Sequence, residues 1–321
     1  MSIHLDQYDK KVLYELDKNA RINTSEIAKI IKKSKQFVDY RIRRLEDEKI
    51  INKYVAVIDH SKLGYTGIRV YFKFHNLTLE KQKQIEDDLV KDKEVWWLMT
   101  AQGFIDLGFA TGFKNILDFY DYFDRIMLKY KKYIKMRKVV IYSHIRQWPK
   151  SYLVGEKNTD KGTLVGASKE IVECSKFDLQ LLKLISDNAR MSLLEIARKL
   201  KTSPQVVKNH MKILEKKEII LRYRVAFDHN AIGYRYYKSY IQLNNTDRIK
   251  ELEQYCLQHP NILNINKTIG GGDFEIEVQV CSFEEFEKLM DDVRTEFEGM
   301  FDDYDFMVAK VEKKMTYFPF E

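Results

Sequence analysis

Two short stretches carry side chains suited to reading nucleic acid. Lys35, Gln36, Asp39, Tyr40, Arg43 and Arg44 share a helical period whose opposite side, Val38, Ile42 and Leu45, is apolar. Gln205, Lys208, Asn209 and Lys212 lie in the same way opposite Val207, Met211 and Leu214. Arg, Lys, Gln and Asn make bidentate or directional hydrogen bonds to base edges in a major groove. Lys33, Arg41, Lys53 and Arg222 flank the two stretches as cations for phosphate, contacts that position a protein without reading sequence. Ser34 and Ser203 have the chemistry of helix N-caps, and Pro204 suits the first helical position. The plainer alternative is a solvated helix face on a scaffold that does not bind DNA.

The elements that must hold these side chains occur twice. Tyr54–Tyr65 reads YVAVIDHSKLGY and Tyr223–Tyr234 reads YRVAFDHNAIGY, an offset of 169 residues that also matches Asn19-Ala20-Arg21 with Asn188-Ala189-Arg190. The register persists at an offset of 167 from Gly103-x-x-Asp106 to Gly270-x-x-Asp273. A period this long marks duplication of a whole protein rather than a solenoid of small units. Within each copy, a helical stripe, a short helix opened at Asn23 or Ser192 with Glu26 or Glu195 three residues on, and a third helix precede a β-rich run. This is the pattern of a winged helix-turn-helix. The remainder of each copy alternates as βαββαβ, the order of a ferredoxin-like fold. The class is therefore α+β. Winged-helix domains are expected over 1–65 and 174–234, ferredoxin-like domains over 66–150 and 235–321, and a Gly- and Lys-bearing linker over 151–173. A sheet covered by helices on one side leaves the other face wanting a partner, so the two ferredoxin-like domains are expected to pair face to face, within one chain or between two.

Composition agrees with a soluble, cytoplasmic protein: of 321 residues, 32% are charged and 45% hydrophobic, and no apolar leader or membrane-length segment stands out. The net charge of +7 is uneven, about +4 over 1–65, +6 over 66–150, +6 over 174–234 and −8 over 235–321. Cys174, Cys256 and Cys281 have no CxxC spacing, which argues against a disulfide framework and a zinc site. No catalytic set, metal site or cofactor is expected.

With these motifs assembled, the chain resembles the Lrp/AsnC (feast/famine) regulators of prokaryotic transcription, duplicated in tandem. The likeness rests on Asp6, Asp9 and Asp178 at the first helix, Asn-Ala-Arg before the second, Arg43-Arg44-Leu45-Glu46, the wing Tyr54–Asp59, Leu63-Gly64-Tyr65 and the two Gly-x-x-Asp hairpins. It implies DNA-reading winged helices and RAM-type ferredoxin-like domains that oligomerise and sense small molecules such as amino acids. It also implies that Gly103, Asp106, Gly270 and Asp273 lie near an effector site, where amides bared by glycine hold a carboxylate. A hairpin turn alone needs the same residues. Two features depart from the family. Lys49 and Glu218 stand where a glycine commonly ends the recognition helix. His60 and His229 stand where proline is usual after Asp, as turn residues or as a metal- or pH-sensing pair.

Two other functions compete. Siroheme decarboxylases resemble this architecture, but they tend to carry a histidine in the hairpin region, and residues 99–111 and 268–280 contain none. An architectural protein would bind DNA through basic faces without sequence preference.

Overall fold

The computed structural model describes residues 4–316 and 318. The expectation of no apolar leader therefore rests partly on Met1–Ile3, and the ferredoxin-like domain expected over 235–321 includes Tyr317 and residues 319–321, all outside the described residues.

The first headpiece consists of α1 (Gln7–Lys18), α2 (Thr24–Ile31), α3 (Lys35–Asp47) and wing strand β1 (Ile51–Ile58). Strands β2 (Thr66–Phe74), β3 (Trp97–Gly103), β4 (Leu107–Phe113) and β5 (Ile134–Gln147) follow, with α4 (Leu79–Lys91) and α5 (Ile116–Tyr130) between them. A short strand, β6 (Thr163–Val165), interrupts the connection to the second copy. That copy repeats the order as α6 (Lys176–Asp187), α7 (Leu193–Lys199), α8 (Pro204–Lys216), β7 (Ile220–Phe227), β8 (Arg235–Leu243), α9 (Ile249–Gln258), β9 (Ile262–Ile269), β10 (Phe274–Val280), α10 (Phe283–Glu296) and β11 (Phe301–Met315).

Capping explains most helix starts. Asp6 with Asp9, and Ser175 with Asp178, form reciprocal capping boxes at α1 and α6. Ser34, Ser192 and Ser203 each accept from the backbone N–H three residues on. Asn23 does not follow the expectation: its side chain makes no cap bond at α2.

Both recognition helices end in the same turn. Lys49 and Glu218 are themselves left-handed, each with φ +55°, while the N–H of Ile50 reaches the Leu45 carbonyl and that of Ile219 the Leu214 carbonyl, both at 2.9 Å. The turn that glycine would favour is thus kept at a side-chain cost. Lys49→Gly and Glu218→Gly are each expected to raise stability by about 0.5–1 kcal/mol in urea unfolding, the relief of strain exceeding glycine's added unfolded-state entropy.

The two headpieces share one hydrophobic core. β1 and β7 pair antiparallel, Tyr54 opposite Val225 and Ala56 opposite Tyr223, so the ribbon has a pseudo-twofold axis at Val55 and its counterpart Arg224, which face each other. The Asn-Ala-Arg repeats cross this axis. The Ala20 N–H donates to the Tyr223 carbonyl at 2.9 Å and the Ala189 N–H to the Tyr54 carbonyl at 2.8 Å. Arg21 donates to the Ala189 carbonyl and lies over Tyr223, while Arg190 donates to the Ala20 carbonyl and lies over Tyr54.

Below the ribbon, the ferredoxin-like halves do more than pair face to face. Strand order β5-β2-β4-β3 continues through β11-β8-β10-β9 and returns to β5, closing an eight-stranded antiparallel barrel to which β6 adds an appendage. The long β11 bonds β8 of its own copy and β3 of the other, and the long β5 likewise bonds β2 and β9. Closure removes the free edges that each half would carry alone. Alternation places Ile68, Val70 and Phe72 in the core under α4 and α5. Arg69 and Tyr71 point the other way, between the halves, as Lys238 and Tyr240 do in the second copy.

That inner face is not the purely apolar surface expected. Lys238, with 0% exposure, meets Glu275 at 2.7 Å and the Tyr142 hydroxyl at 2.6 Å, and Arg69 meets Glu277 at 3.0 Å. Burial pushes the Glu277 carboxyl up, but Arg69 and Lys238 outweigh it and hold it at about 2. The bond from Arg69 to Glu277 is also where basic first copy meets acidic second.

Candidate nucleic-acid interface and central chamber

α3 and α8 bury the apolar stripes that their sequence sets out, Val38, Ile42 and Leu45 and then Val207, Met211 and Leu214. Lys33, Lys35, Gln36, Tyr40 and Arg43 are exposed on the first headpiece, Tyr40 by 62%. Ser203, Gln205, Lys208, Asn209 and Lys212 are exposed on the second, with Gln205 donating to Asn209 at 2.8 Å across one helical turn. These residues form the outward faces from which base edges would be read.

Four expected DNA contacts are committed elsewhere. The Arg41 guanidinium meets Asp6 at 2.8 Å and Asp9 at 3.0 Å, and Arg44 meets Asp9 at 2.5 Å, so both tie α3 to the N-terminus of α1. Asp9 is buried, and removing its partners would strand a carboxylate. The equivalent tie in the second headpiece joins His210 to Asp178 at 2.7 Å. Lys53 donates to the Met315 carbonyl of β11, and Arg222 meets Asp160 of the connection at 2.7 Å. Counting cations along the sequence could not reveal this, because the partners lie on other elements.

The connection over 151–173 is likewise docked rather than free. Its Gly166 and Ser168 N–H groups donate to Asp59 Oδ1 and Ser61 Oγ at 3.0 and 2.9 Å, and Glu170 meets Lys62 at 2.9 Å.

The Gly-x-x-Asp hairpins sit where the copies meet, as an inter-copy site requires, but their polar groups are occupied. Asp106 accepts from Lys73 Nζ at 2.9 Å and from the Phe74 N–H at 2.8 Å, and Asp273 accepts from the Leu243 N–H at 2.9 Å. Gly103, at φ +123°, leaves room for the Phe306 carbonyl of β11, which a Cβ would approach to 2.8 Å, and Gly270 stands against the Val139 carbonyl of β5 in the same way. The geometry accounts for all four residues through turn formation and close packing between copies. None of them belongs to the wall of the central chamber.

The cavity lies instead between the wing ribbon and the mouth of the barrel, with a volume of about 800 Å³. Its wall includes both matched histidines, His60 and His229, together with Trp96, Trp97, Tyr142 and Tyr236. Burial lowers the His60 ring, and it brings His229 down to about 4 against the opposing charge of Asp228, so His229 is neutral near pH 7. Among the described residues no group of His, Cys, Asp and Glu is arranged to hold a metal ion.

Beside the chamber lies a cluster that reasoning from the helices alone missed. Asp17 of α1, fully buried, accepts from Arg224 Nε and Nη2 at 3.0 and 2.9 Å and from Lys150 Nζ at 3.1 Å. Burial would push its carboxyl up, but Arg224 and Lys150 hold it well below the usual carboxylate range. One sequence signal existed: Arg224 stands in β7 where the matching residue of β1 is Val55.

Paired winged helices with outward basic faces, joined through a two-stranded ribbon, define a helix-turn-helix DNA-binding protein of doubled form. The profile of winged helix-turn-helix DNA-binding domains matches residues 5–52 and 175–220. An HTH-type transcriptional regulator of Pyrococcus abyssi is 30% identical over 116 residues, 35% of this chain and 74% of that protein. The regulator LrpB of Bacillus subtilis is 36% identical over 89 residues, 28% of this chain and 56% of its own length. The chain belongs to the Lrp/AsnC family of HTH-type transcriptional regulators. Among solved structures, the siroheme decarboxylase NirDL has a similar fold, with TM-score 0.62 over 97% of this chain and 93% of that one at 13% identity. No helix among the described residues is long and apolar enough to cross a membrane.

Proposed function

We propose that this protein is a sequence-specific DNA-binding regulator of transcription in which one chain does the work of a dimer. The observation that carries the reading is the β1–β7 ribbon with its reciprocal Asn-Ala-Arg bonds, which relates α3 and α8 by a pseudo-twofold axis while their basic faces stay exposed. Such an arrangement suits two half-sites on one duplex, spaced by about one helical turn or a multiple of it. Selection from a random DNA pool with the full chain is expected to enrich a bipartite site whose affinity falls steeply with salt. A pool that shows no enrichment over several rounds, with binding equal on all sequences, overturns sequence specificity and favours an architectural role.

The same reading assigns the chain no catalytic step. Its support is family membership, since likeness to NirDL at 13% identity concerns the backbone. Incubation with siroheme is expected to release no carbon dioxide, and release above the protein-free control would reverse the assignment.

A further inference from the structure

We propose that the chamber between ribbon and barrel is a binding site for an aromatic carboxylate, separate from both the recognition helices and the Gly-x-x-Asp hairpins.

The first observation is its charge. Basic residues outnumber acidic ones in the wall by seven to three. Several of these cations are neutralised within the chain: Arg69 by Glu277, Lys313 by Glu86, and Arg224 and Lys150 jointly by the single carboxylate of Asp17. Others hydrogen-bond carbonyl oxygen and feel a carboxylate only beyond salt-bridge distance, Lys53 that of Glu312 and Lys314 that of Asp92. Lys53 donates to the Met315 carbonyl and Lys314 to the Asp92 carbonyl at 2.6 Å, while Lys310 is exposed. Burial lowers the Lys314 ammonium, with Asp92 opposing the shift, so an anion arriving beside it recovers charge stabilisation that the site withholds. A carbonyl satisfies geometry but leaves the charge only partly compensated.

The second observation is shape and surface. The volume of about 800 Å³ lies within the range of small-molecule sites, and the wall is mostly apolar with rings from both copies. Trp97 is fixed by its Nε1–H, which donates to Glu312 at 2.8 Å, and the His60 and Trp96 rings meet edge to face at 5.5 Å. Rigid ring faces beside ammonium groups that make no salt bridge among the described residues suit a flat apolar body that ends in a carboxylate. Two polar atoms of the wall, His229 Nε2 and Thr111 Oγ1, make no hydrogen bond among the described residues and leave capacity for a polar substituent. With His229 neutral near pH 7, the ring is a donor or acceptor rather than a further charge.

The inference does not depend on DNA binding and is tested without it. Calorimetric titration of the full chain with 2-naphthoate is expected to show one site per chain, with binding to the neutral 2-naphthalenemethanol at least tenfold weaker. Lys53→Met with Lys314→Met should weaken naphthoate about tenfold or more and leave the alcohol unchanged. Lys310→Ala, at an exposed position, supplies a second variant if the double one does not fold and should weaken naphthoate severalfold. Lys35→Ala with Lys208→Ala, on the recognition helices, should change nothing. Absence of saturable binding, more than one equivalent bound, equal affinity for acid and alcohol, or loss in the recognition-helix variant as large as in the chamber variants would each overturn the proposal.

Discussion

Asp17→Asn is expected to lower stability by about 3–5 kcal/mol in urea unfolding at pH 7, the range for breaking a buried ion pair from one side. The substitution leaves Arg224 and Lys150 facing each other with no anion between them, inside a region where Asp17 has 0% exposure. The loss should be large because the cluster joins three parts of the molecule. Asp17 belongs to α1 and Arg224 to β7, while Lys150 follows the end of β5, and Arg224 also donates to the Trp148 carbonyl at 3.1 Å. The pH dependence has a definite sign. A carboxyl held below its unfolded value contributes stability that is fully present above about pH 4 and is lost as pH falls through the folded value. Wild type should therefore lose stability on acidification below about pH 4 more steeply than Asp17→Asn, and the two curves should converge. A difference under about 1 kcal/mol at pH 7 would show that the cluster does not hold the headpieces to the barrel.

The second large effect concerns DNA. At matched positions the first recognition helix presents Lys35, Asp39, Tyr40 and Arg43, and the second presents Pro204, Lys208, Asn209 and Lys212, with Gln36 and Gln205 alone in common and Asp39 half-buried. Lys35 and Arg43 suit guanine O6 and N7, Asn209 suits adenine, and Asp39 would accept from cytosine N4. Arg43→Ala is expected to cost about 1–3 kcal/mol, roughly tenfold to hundredfold in affinity, through one half of the selected site, and Lys212→Ala through the other. Footprints on sites with one half scrambled separate the two. A site with two identical halves would contradict the asymmetry. Arg44→Ala is a control of another kind: bound to buried Asp9, it should destabilise the first headpiece and not change base preference.

Much of this molecule was legible in its sequence because duplication states each pattern twice. The period of 3.6 gave α3 and α8 their buried stripes, and alternation gave β2 and β8 their outward faces. The interhelical ties were not legible, since the pairing of Arg41 with Asp9 spans 32 residues and no local period connects them. Nor was barrel closure. The C-terminal strand of each copy looks like an ordinary edge, and only its length, 14 residues in β5 and 15 in β11, hints that it serves two sheets. The ionic interior of the barrel left a trace that goes unread without comparing copies: Arg69 and Lys238 are cations at the same place in β2 and β8. The chamber, built from segments of both copies, has no continuous signature at all.

Val55 and Arg224 occupy equivalent places on the axis of the ribbon. In an assembly of two identical chains, that spot must hold two valines or two arginines. Two arginines would oppose each other, and with Ser186 in the place of Asp17 they would lack an anion from α6. Two valines would leave two buried Asp17 carboxylates with no guanidinium at the axis. A single cation on the axis requires two halves that differ, which the fused chain supplies. Fusion therefore acts as a ratchet: having accepted Arg224 on one side and Asp17 on the other, neither half can return to life as a homodimer without first undoing the other's change.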